Sequence, residues 1–424
     1  MTTAPASAGV PLARGAAWAT VAVASVVLVL LAVWLVPWDW VPGGRLVPAS
    51  PHEVFTSDQL ARAEEYSAGR RYLGWASYGV SLLVALVLGL TPAGARLVRR
   101  VGGRRWWLAV PVGTLALLLV GRLVTLPFAV AVYRRNLGYG LTEQGWAGWW
   151  ADYGKSLLVS WVLTALLLLV VVGAARRAPR FWFAWAGGLA ALLVVAGSFL
   201  YPLVVEPLFN TFTPMSDGPF RSSVLSMAAD EGVEVDDVLV ADASRRTTTL
   251  NAYVSGFGGT RRVVVYDTLL AELSPAEARV VVAHELAHAK HDDVLVGTAL
   301  GAAGAVLGVT VLALLLDTAP LRRRAGISGP GDPGSVAVVL ALVALAGLLA
   351  APVQNATSRA IEVRADREAL AVTGESTTFV DMQRELSLRA LSDPTPPAWS
   401  QLWFGSHPTV LQRAGLPASL EGAR

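Results

Sequence analysis

The stretch His284-Glu285-Leu286-Ala287-His288 combines residue types and spacing suited to metal-assisted hydrolysis. It lies in an apolar, helix-periodic run from Ala276 to Lys290. Positions i and i+4 of a helix share a face, so both imidazoles can grip one zinc ion. Glu285 then turns toward a metal-held water as general base. A five-residue pattern also arises by accident on a surface helix, so further ligands must decide. A catalytic zinc takes three protein ligands and keeps one position open. The chain has no cysteine, so any further ligand is His, Asp or Glu. His291 lies another turn along the helix and should point past the metal, as a solvated helix end. Val294 stands where a third histidine six residues after His288 would be, with no glycine at 291 before it. Glu362 and Asp366, spaced i, i+4, can face one site together. Glu362 would bind the metal, and Asp366 would accept the outer N–H of a ligating histidine and hold its tautomer. The competing reading is a charged helix face, because Arg359, Arg364, Arg367 and Glu368 stand alongside.

These residues need elements to place them. Ser274-Pro275-Ala276-Glu277 reads as a capping box with proline at the first helical position, starting the motif helix. Upstream, 220–229 reads as a helix, and 233–241 and 261–266 as strands. Phe257-Gly258-Gly259-Thr260 marks a turn. Asn251 to Val254 alternates like a strand; an edge strand there could pair with an extended peptide, making Asn251, Ala252 and Tyr253 substrate-binding residues. Downstream, 355–371 reads as a helix ended by Gly374, and 378–391 as another. A link with Pro394, Pro396 and Pro397 leads to Ser406-His407-Pro408, where Pro408 starts a last short helix. His407 could donate to the oxyanion of a tetrahedral intermediate, or simply cap that helix. Arg413 would anchor a carboxylate, Glu362 or Asp366. His52 reads as a solvated loop residue.

Composition sets the frame. Of 424 residues, 54% are hydrophobic and only 15% charged, and the mean hydropathy is +0.52. That is a membrane protein diluted by water-facing parts. Seven apolar runs can span a bilayer, near 15–36, 72–92, 106–131, 155–174, 181–203, 294–316 and 335–354. The first is too long for the apolar core of a cleavable signal and reads as a retained anchor. Arg122 and Pro127 in the third hint at a hydrated interior. The segments expected are a membrane part at 1–205, a catalytic part at 206–293, two spans at 294–354 and a second catalytic part at 355–424. Arginines cluster at 96–105, 176–180 and 322–324, in alternate loops. The positive-inside rule makes that side cytoplasmic and puts the catalytic segments on the extracytoplasmic side of the cell membrane. A net charge of +3 is too small to suggest nucleic acid. The bilayer and a peptide or protein substrate are the expected partners, and no feature identifies a protein partner.

His284 to His288, followed by S-R-x-x-E-x-x-A-D at 358–366, resembles the type I CAAX prenyl endopeptidases and their HtpX-like relatives. These are integral-membrane zinc peptidases of gluzincin type. Glu206 to Pro214, Asn251-Ala252-Tyr253, Val265 to Leu270 and His407-Pro408 with Arg413 are similar to further family segments. Seven spans match the CAAX branch. The resemblance implies one zinc on His284, His288 and Glu362, Glu285 as base, and a membrane chamber enclosing the site. The expected protein is therefore an α-helical polytopic membrane protein of about seven helices enclosing a chamber, with a small α+β catalytic part. Its expected activity is zinc-dependent cleavage of membrane-associated or hydrophobic peptides, prenylated ones included. Alternatives are an HtpX-like quality-control protease, or a non-enzymatic membrane protein with a structural zinc closed by four ligands.

Overall fold

The computed structural model describes residues 10–39, 44–256 and 258–421. Among them seven helices are long and apolar enough to cross a bilayer: Arg14–Leu35, Ser57–Leu90, Trp106–Tyr139, Trp146–Arg177, Trp182–Leu208, Asp293–Leu316 and Ser335–Thr373. The protein is thus an α-helical polytopic membrane protein. Many of their apolar side chains are exposed, Val26, Leu123, Leu163 and Leu349 among them. Such faces suit lipid, in which a helix satisfies its own backbone polar groups. Several helices outrun the apolar stretches that mark them. Trp106–Tyr139 has 34 residues, about 51 Å at 1.5 Å per residue, against a hydrocarbon core of about 30 Å. The excess lets their ends form walls outside the lipid core. The fifth span closes differently: Tyr201–Val205 is a π-helical turn and Glu206–Leu208 a 3-10 turn. Pro202 and Pro207 cannot donate to the helical ladder there, and the chain leaves the membrane.

Two large cores, with three smaller clusters, hold the described residues together. One joins the spans through Val98, Val110, Leu168, Trp182, Leu312 and Val336. The other combines residues before and after the last two spans, including Val224, Val263, Leu286, Val363, Phe379 and Leu416. The part outside the spans is thus packed from two distant stretches of chain.

Its sheet has four strands, β1 (Phe212–Pro214), β2 (Asp237–Ala241), β3 (Ala252–Ser255) and β4 (Arg262–Tyr266), in the order β1-β2-β4-β3. β2 and β4 are parallel; the other pairs are antiparallel. β3 therefore lies at an edge, as its sequence suggests. The strand expected from 233 begins only at Asp237. Val233 instead finishes the preceding helix, Pro219–Asp230. Gly232 has φ +69°, and the Val233 N–H donates to the Ala228 carbonyl at 2.8 Å. That is a left-handed helix stop with an apolar residue after the glycine, so the hydrophobicity of Val233 serves a cap. Of the turn expected at 257–260, Phe257 lies outside the described residues, and Gly258–Thr260 forms a 3-10 turn. Gly256, at φ +90°, must be glycine: a Cβ there would meet the Thr260 carbonyl oxygen at 2.3 Å.

The motif helix runs Pro275–Lys290. Its capping box forms as expected, with Glu277 N–H donating to Ser274 Oγ at 3.3 Å and Ser274 N–H to Glu277 Oε2 at 2.8 Å. Asp292, at φ 51°, breaks the helix and re-aims the chain into Asp293–Leu316. The seventh span and the helix expected at 355–371 are one continuous 39-residue helix, Ser335–Thr373. Pro352 inside it does not end it, so the expected segment boundary at 354/355 falls within a helix. His52 is exposed, but on a short helix, Pro51–Val54, capped by Ser50 and Glu53, and not in a loop. A further helix, Ala398–Phe404, follows the proline-rich link. Pro408 precedes the cap Thr409 of Val410–Ala414, so it does not start that helix as expected; the Thr409–Gln412 capping box does.

Candidate metal centre

The motif helix presents His284 and His288 on one face, and the long helix Ser335–Thr373 brings Glu362 against them. One ligand atom from each of these three residues lies within 4.8 Å of the other two. The His284 and His288 Nε2 atoms are 3.2 Å apart. Glu362 Oε2 lies 3.3 Å from His284 Nε2, and Oε1 lies 3.7 Å from His288 Nε2. Glu362 Oε2 is buried without a hydrogen-bond partner. A buried carboxylate whose two oxygens face two imidazole nitrogens, one oxygen lacking a hydrogen-bond partner, is an arrangement that a cation of borderline softness satisfies, and the donor set suits zinc. The residues present therefore fit the group that the motif implies.

Each histidine is held from behind. His284 Nδ1 donates to Asp366 Oδ1 at 3.0 Å, and Asp366 accepts from Arg413 Nε at 2.8 Å. His288 Nδ1 donates to Asp293 Oδ2 at 2.9 Å, and Asp293 is paired with Arg364. These bonds leave both Nε2 atoms free as ligands, because the outer partner decides which ring nitrogen carries the proton. The i, i+4 reading of Glu362 and Asp366 holds in three dimensions, and Arg413 reaches Asp366. Asp293 and Arg364 were not found from sequence. The signal for Asp293 was faint: a carboxylate five residues after His288, beyond the helix break at Asp292, where no helical spacing rule applies. Arg364 looked like an ordinary surface charge yet is buried.

Burial opposes charge on His284, but Asp366 and Glu362 outweigh it and push its pKa up to about 10. Glu285 is half-buried. Burial pushes its carboxyl upward, against the pull of His284 and His288. A raised carboxyl is better matched to proton transfer near neutral pH. His291 is turned away, with Nε2 2.8 Å from Glu368 Oε1. His407 is exposed, and its Nε2 lies 3.3 Å from Glu362 Oε1. Its loop is tied to the long helix by Arg359, which donates to the Gln401 and Gly405 carbonyls at 3.2 and 2.5 Å.

A cavity of about 310 Å³ opens beside Glu285 and His288, with Val254, Ser358 and Ile361 in its wall. Of the strand residues expected to meet substrate, none of Asn251, Ala252 and Tyr253 lines it; their neighbour Val254 does. The pleat explains this. Ala252 and Val254 share the face toward the catalytic core, Ala252 buried within it. Tyr253 points the other way and donates to Glu206 Oε2 at 3.2 Å. Asn251 is exposed, and its carbonyl accepts from Tyr266 N–H at 3.0 Å. A second, larger cavity of about 1000 Å³ lies among the spans, lined by residues such as Tyr78, Leu117 and Tyr153 and by none of the metal-site residues.

Spans enclosing a cavity, with two histidines, a carboxylate ligand set and a nearby half-buried glutamate, have the makeup of a membrane metallohydrolase. Residues 214–415 match the family model described as peptidase family M48, and 43–211 match the CAAX prenyl protease N-terminal region with five membrane helices. The chain is 27% identical over 409 residues to "Uncharacterized metalloprotease YhfN" of Bacillus subtilis (strain 168), covering 93% of this chain and 95% of that one. It is 31% identical over 252 residues to "CAAX prenyl protease 1 homolog" of Dictyostelium discoideum, covering 56% of this chain and 55% of that relative. The chain thus spans about half the length of that relative. The crystal structure of S. mikatae Ste24p shares the fold, with a TM-score of 0.76 at 20% identity, covering 96% of this chain and 98% of that one. The chain belongs to peptidase family M48, in the type I CAAX prenyl endopeptidase branch. It is a metalloendopeptidase embedded in a membrane by several spans.

Proposed function

We propose that the metal is zinc, one per chain, held by His284, His288 and Glu362, and that the protein hydrolyses membrane-associated or hydrophobic peptides. The observation that carries this reading is the Glu362 carboxylate, whose two oxygens face the two Nε2 atoms of rings fixed from behind by Asp366 and Asp293. When bound, zinc would polarise the peptide carbonyl and lower the pKa of water toward neutrality. Glu285 would take a proton from the water as it adds to the peptide carbonyl and would give that proton to the amine as the C–N bond breaks. His407 is the oxyanion donor; its exposed ring sits on a loop tied down by Arg359, and it must turn from Glu362 to meet substrate. Arg413 and Asp366 hold His284 in register. β3, at the sheet edge beside the cavity, offers backbone to an extended peptide through the stretch Asn251-Ala252-Tyr253-Val254.

Prenylated peptides enter the substrate class through the name of the Dictyostelium relative. The catalytic work is divided between 206–293 and 355–424, which share one core, while 1–205 and 294–354 supply the membrane part. The orientation we propose is extracytoplasmic for the catalytic segments, in the cell membrane. Arg99 donates to the Gly326 carbonyl at 3.0 Å and Arg176 to that of Gly331 at 2.9 Å, so the arginine-bearing loops gather at one end of the spans. The sixth span, 24 residues from Asp293 to Leu316, carries the chain from the metal centre to that end over about 36 Å.

The test uses protein purified in detergent. Glu285→Gln should retain zinc and lose turnover; an active variant would defeat the assignment of the base. Glu362→Ala should lose the metal, and full occupancy would place the third ligand elsewhere. Wild type given one peptide with and without a farnesyl-cysteine terminus separates prenyl-directed cleavage from general membrane proteolysis.

A further inference from the structure

The end of the spans opposite the metal centre carries a cationic surface that peptide hydrolysis does not use. No Asp or Glu occurs between Glu65 and Glu143 or between Asp152 and Glu206, so two of the loops at this end are basic without compensation. The carboxylates of the remaining loop are engaged. Asp317 pairs with Arg14 at 2.6 Å. Asp332 pairs with Arg99 at 3.4 Å and accepts from the Gly334 N–H at 2.8 Å. Arg104, Arg105, Arg177 and Arg180 are exposed and meet no carboxylate among the described residues.

The surface has a fixed frame. Arg176 donates to the Gly331 carbonyl at 2.9 Å and lies 5.5 Å from the Trp106 ring centre. A Cβ at Gly173 would stand 3.3 Å from the same ring, so the third and fourth spans meet closely at Trp106. Arg104 and Arg105 directly precede Trp106, where the third span starts, and Arg176 and Arg177 close the end of the fourth. The fifth span begins beside them, since Trp182 shares a core with Ala175 and Trp106. Arg105 lies 5.8 Å from the Trp107 ring centre and Arg180 lies 5.5 Å from that of Phe181. A guanidinium on a ring face keeps its N–H groups free in its own plane, where a phosphate can accept from the fork.

The apolar neighbours decide the occupant. Trp107, Leu108, Phe181 and Trp185 are all exposed next to these arginines. Cations bordered by exposed tryptophan mark the headgroup boundary of a bilayer. An acidic protein or a nucleic acid would neutralise the arginines and leave the rings in water. A phospholipid covers both, phosphate on guanidinium and acyl chain on ring. The other end of the third span differs: Arg134 also lies over a ring, Trp146 at 5.9 Å, but Glu143 and Asp152 stand close by in the chain. We propose that the arginines around the junction of the third, fourth and fifth spans form a binding site for the phosphodiester headgroup of an anionic phospholipid of the bilayer. The site is independent of the peptidase reading, and metal-free protein should bind the lipid equally well.

The experiment uses the full chain in neutral detergent, where orientation plays no part. Native mass spectrometry follows titration with dioctanoyl-phosphatidylglycerol or dioctanoyl-phosphatidylcholine. Each arginine near a lipid phosphate is worth about fivefold in affinity, so wild type should prefer the anionic lipid by at least about 25-fold. Arg104→Gln with Arg105→Gln should weaken binding of that lipid about 25-fold and leave the neutral one unchanged. The same pair changed to lysine should retain part of the preference, as charge without the fork. Arg45→Gln with Arg134→Gln, exposed arginines away from this end, should leave it intact. If the first double variant does not fold, Arg177→Gln alone should still show about a fivefold loss. Equal affinities in wild type, a preference that survives removal of these arginines, or an equal loss in the Arg45 and Arg134 variant overturns the proposal. Inorganic phosphate that displaces the lipid at equal concentration would assign the arginines to a free phosphate and overturn the lipid assignment.

Discussion

The two histidines of the candidate metal centre are supported by two relays of the same chemistry and different construction. His284 leans on Asp366 and Arg413; His288 leans on Asp293 and Arg364. The long helix contributes to both, as acid in one and base in the other, with Glu362 beside them. The first relay ties the C-terminal segment to the motif helix, and its carboxylate is 1% exposed. The second ties the motif helix to the start of the next span, and its histidine is more open, at 21% against 9%. The same hydrogen bonds should therefore carry different weight. Both relays join distant chain, so the one in the drier environment, which also holds the C-terminal segment, should govern both folding and metal, while the other should mainly govern the metal.

The largest expected effect breaks the first relay. Arg413→Ala leaves the buried Asp366 carboxylate with His284 as its remaining partner, which costs up to roughly 3–5 kcal/mol. Thermal unfolding of metal-free protein in detergent should show the loss, and an unchanged midpoint would remove the special weight of this relay. Next come the outer carboxylates themselves. Asp366→Asn and Asp293→Asn should each weaken zinc binding by about 10- to 100-fold, with Asp366→Asn the worse of the two. A competition titration with a chelator reads both, and the reverse order would break the comparison.

The third expectation concerns protons. With its pKa raised to about 10, metal-free His284 carries a proton at neutral pH. Zinc must displace it, so affinity falls as pH falls, by about tenfold per unit from this group. Calorimetry in buffers of different ionisation enthalpy should count about one proton released at His284 on metal binding, and fewer in Asp366→Asn. The smallest effect lies outside the relays. Lys290 pairs with Glu231 and Glu368 at 2.7 and 2.9 Å, with its own side chain 38% exposed. Solvent screens such a network, so Lys290→Ala should cost less than about 1 kcal/mol and leave zinc affinity unchanged.

Much of this centre was legible in the residues. The pair His284 and His288, the pair Glu362 and Asp366 and the Ser274–Glu277 cap obey local helical spacing, which needs no knowledge of the rest of the chain. The spans were legible because a bilayer demands long apolar runs. Val233 and Pro408 were misread because each serves a helix terminus, where one hydrophobic residue or one proline fits more than one role. The direction of the Tyr253 side chain was not legible, because only the pleat of β3 turns it from the cavity and toward Glu206.

By itself, then, the sequence determined the number of spans, the motif helix, the residues that come together at the candidate metal site and the family. Those features depend on period, composition and ordered motifs. Only the tertiary structure decided that Arg364 rather than a nearer cation pairs with Asp293, that the last span and the Glu362 helix are continuous, and that Arg122 faces a chamber without a carboxylate. The reason is physical. Periodicity says which residues share a face of one element, but ion pairs across elements depend on how two faces meet, and neither face carries that information alone.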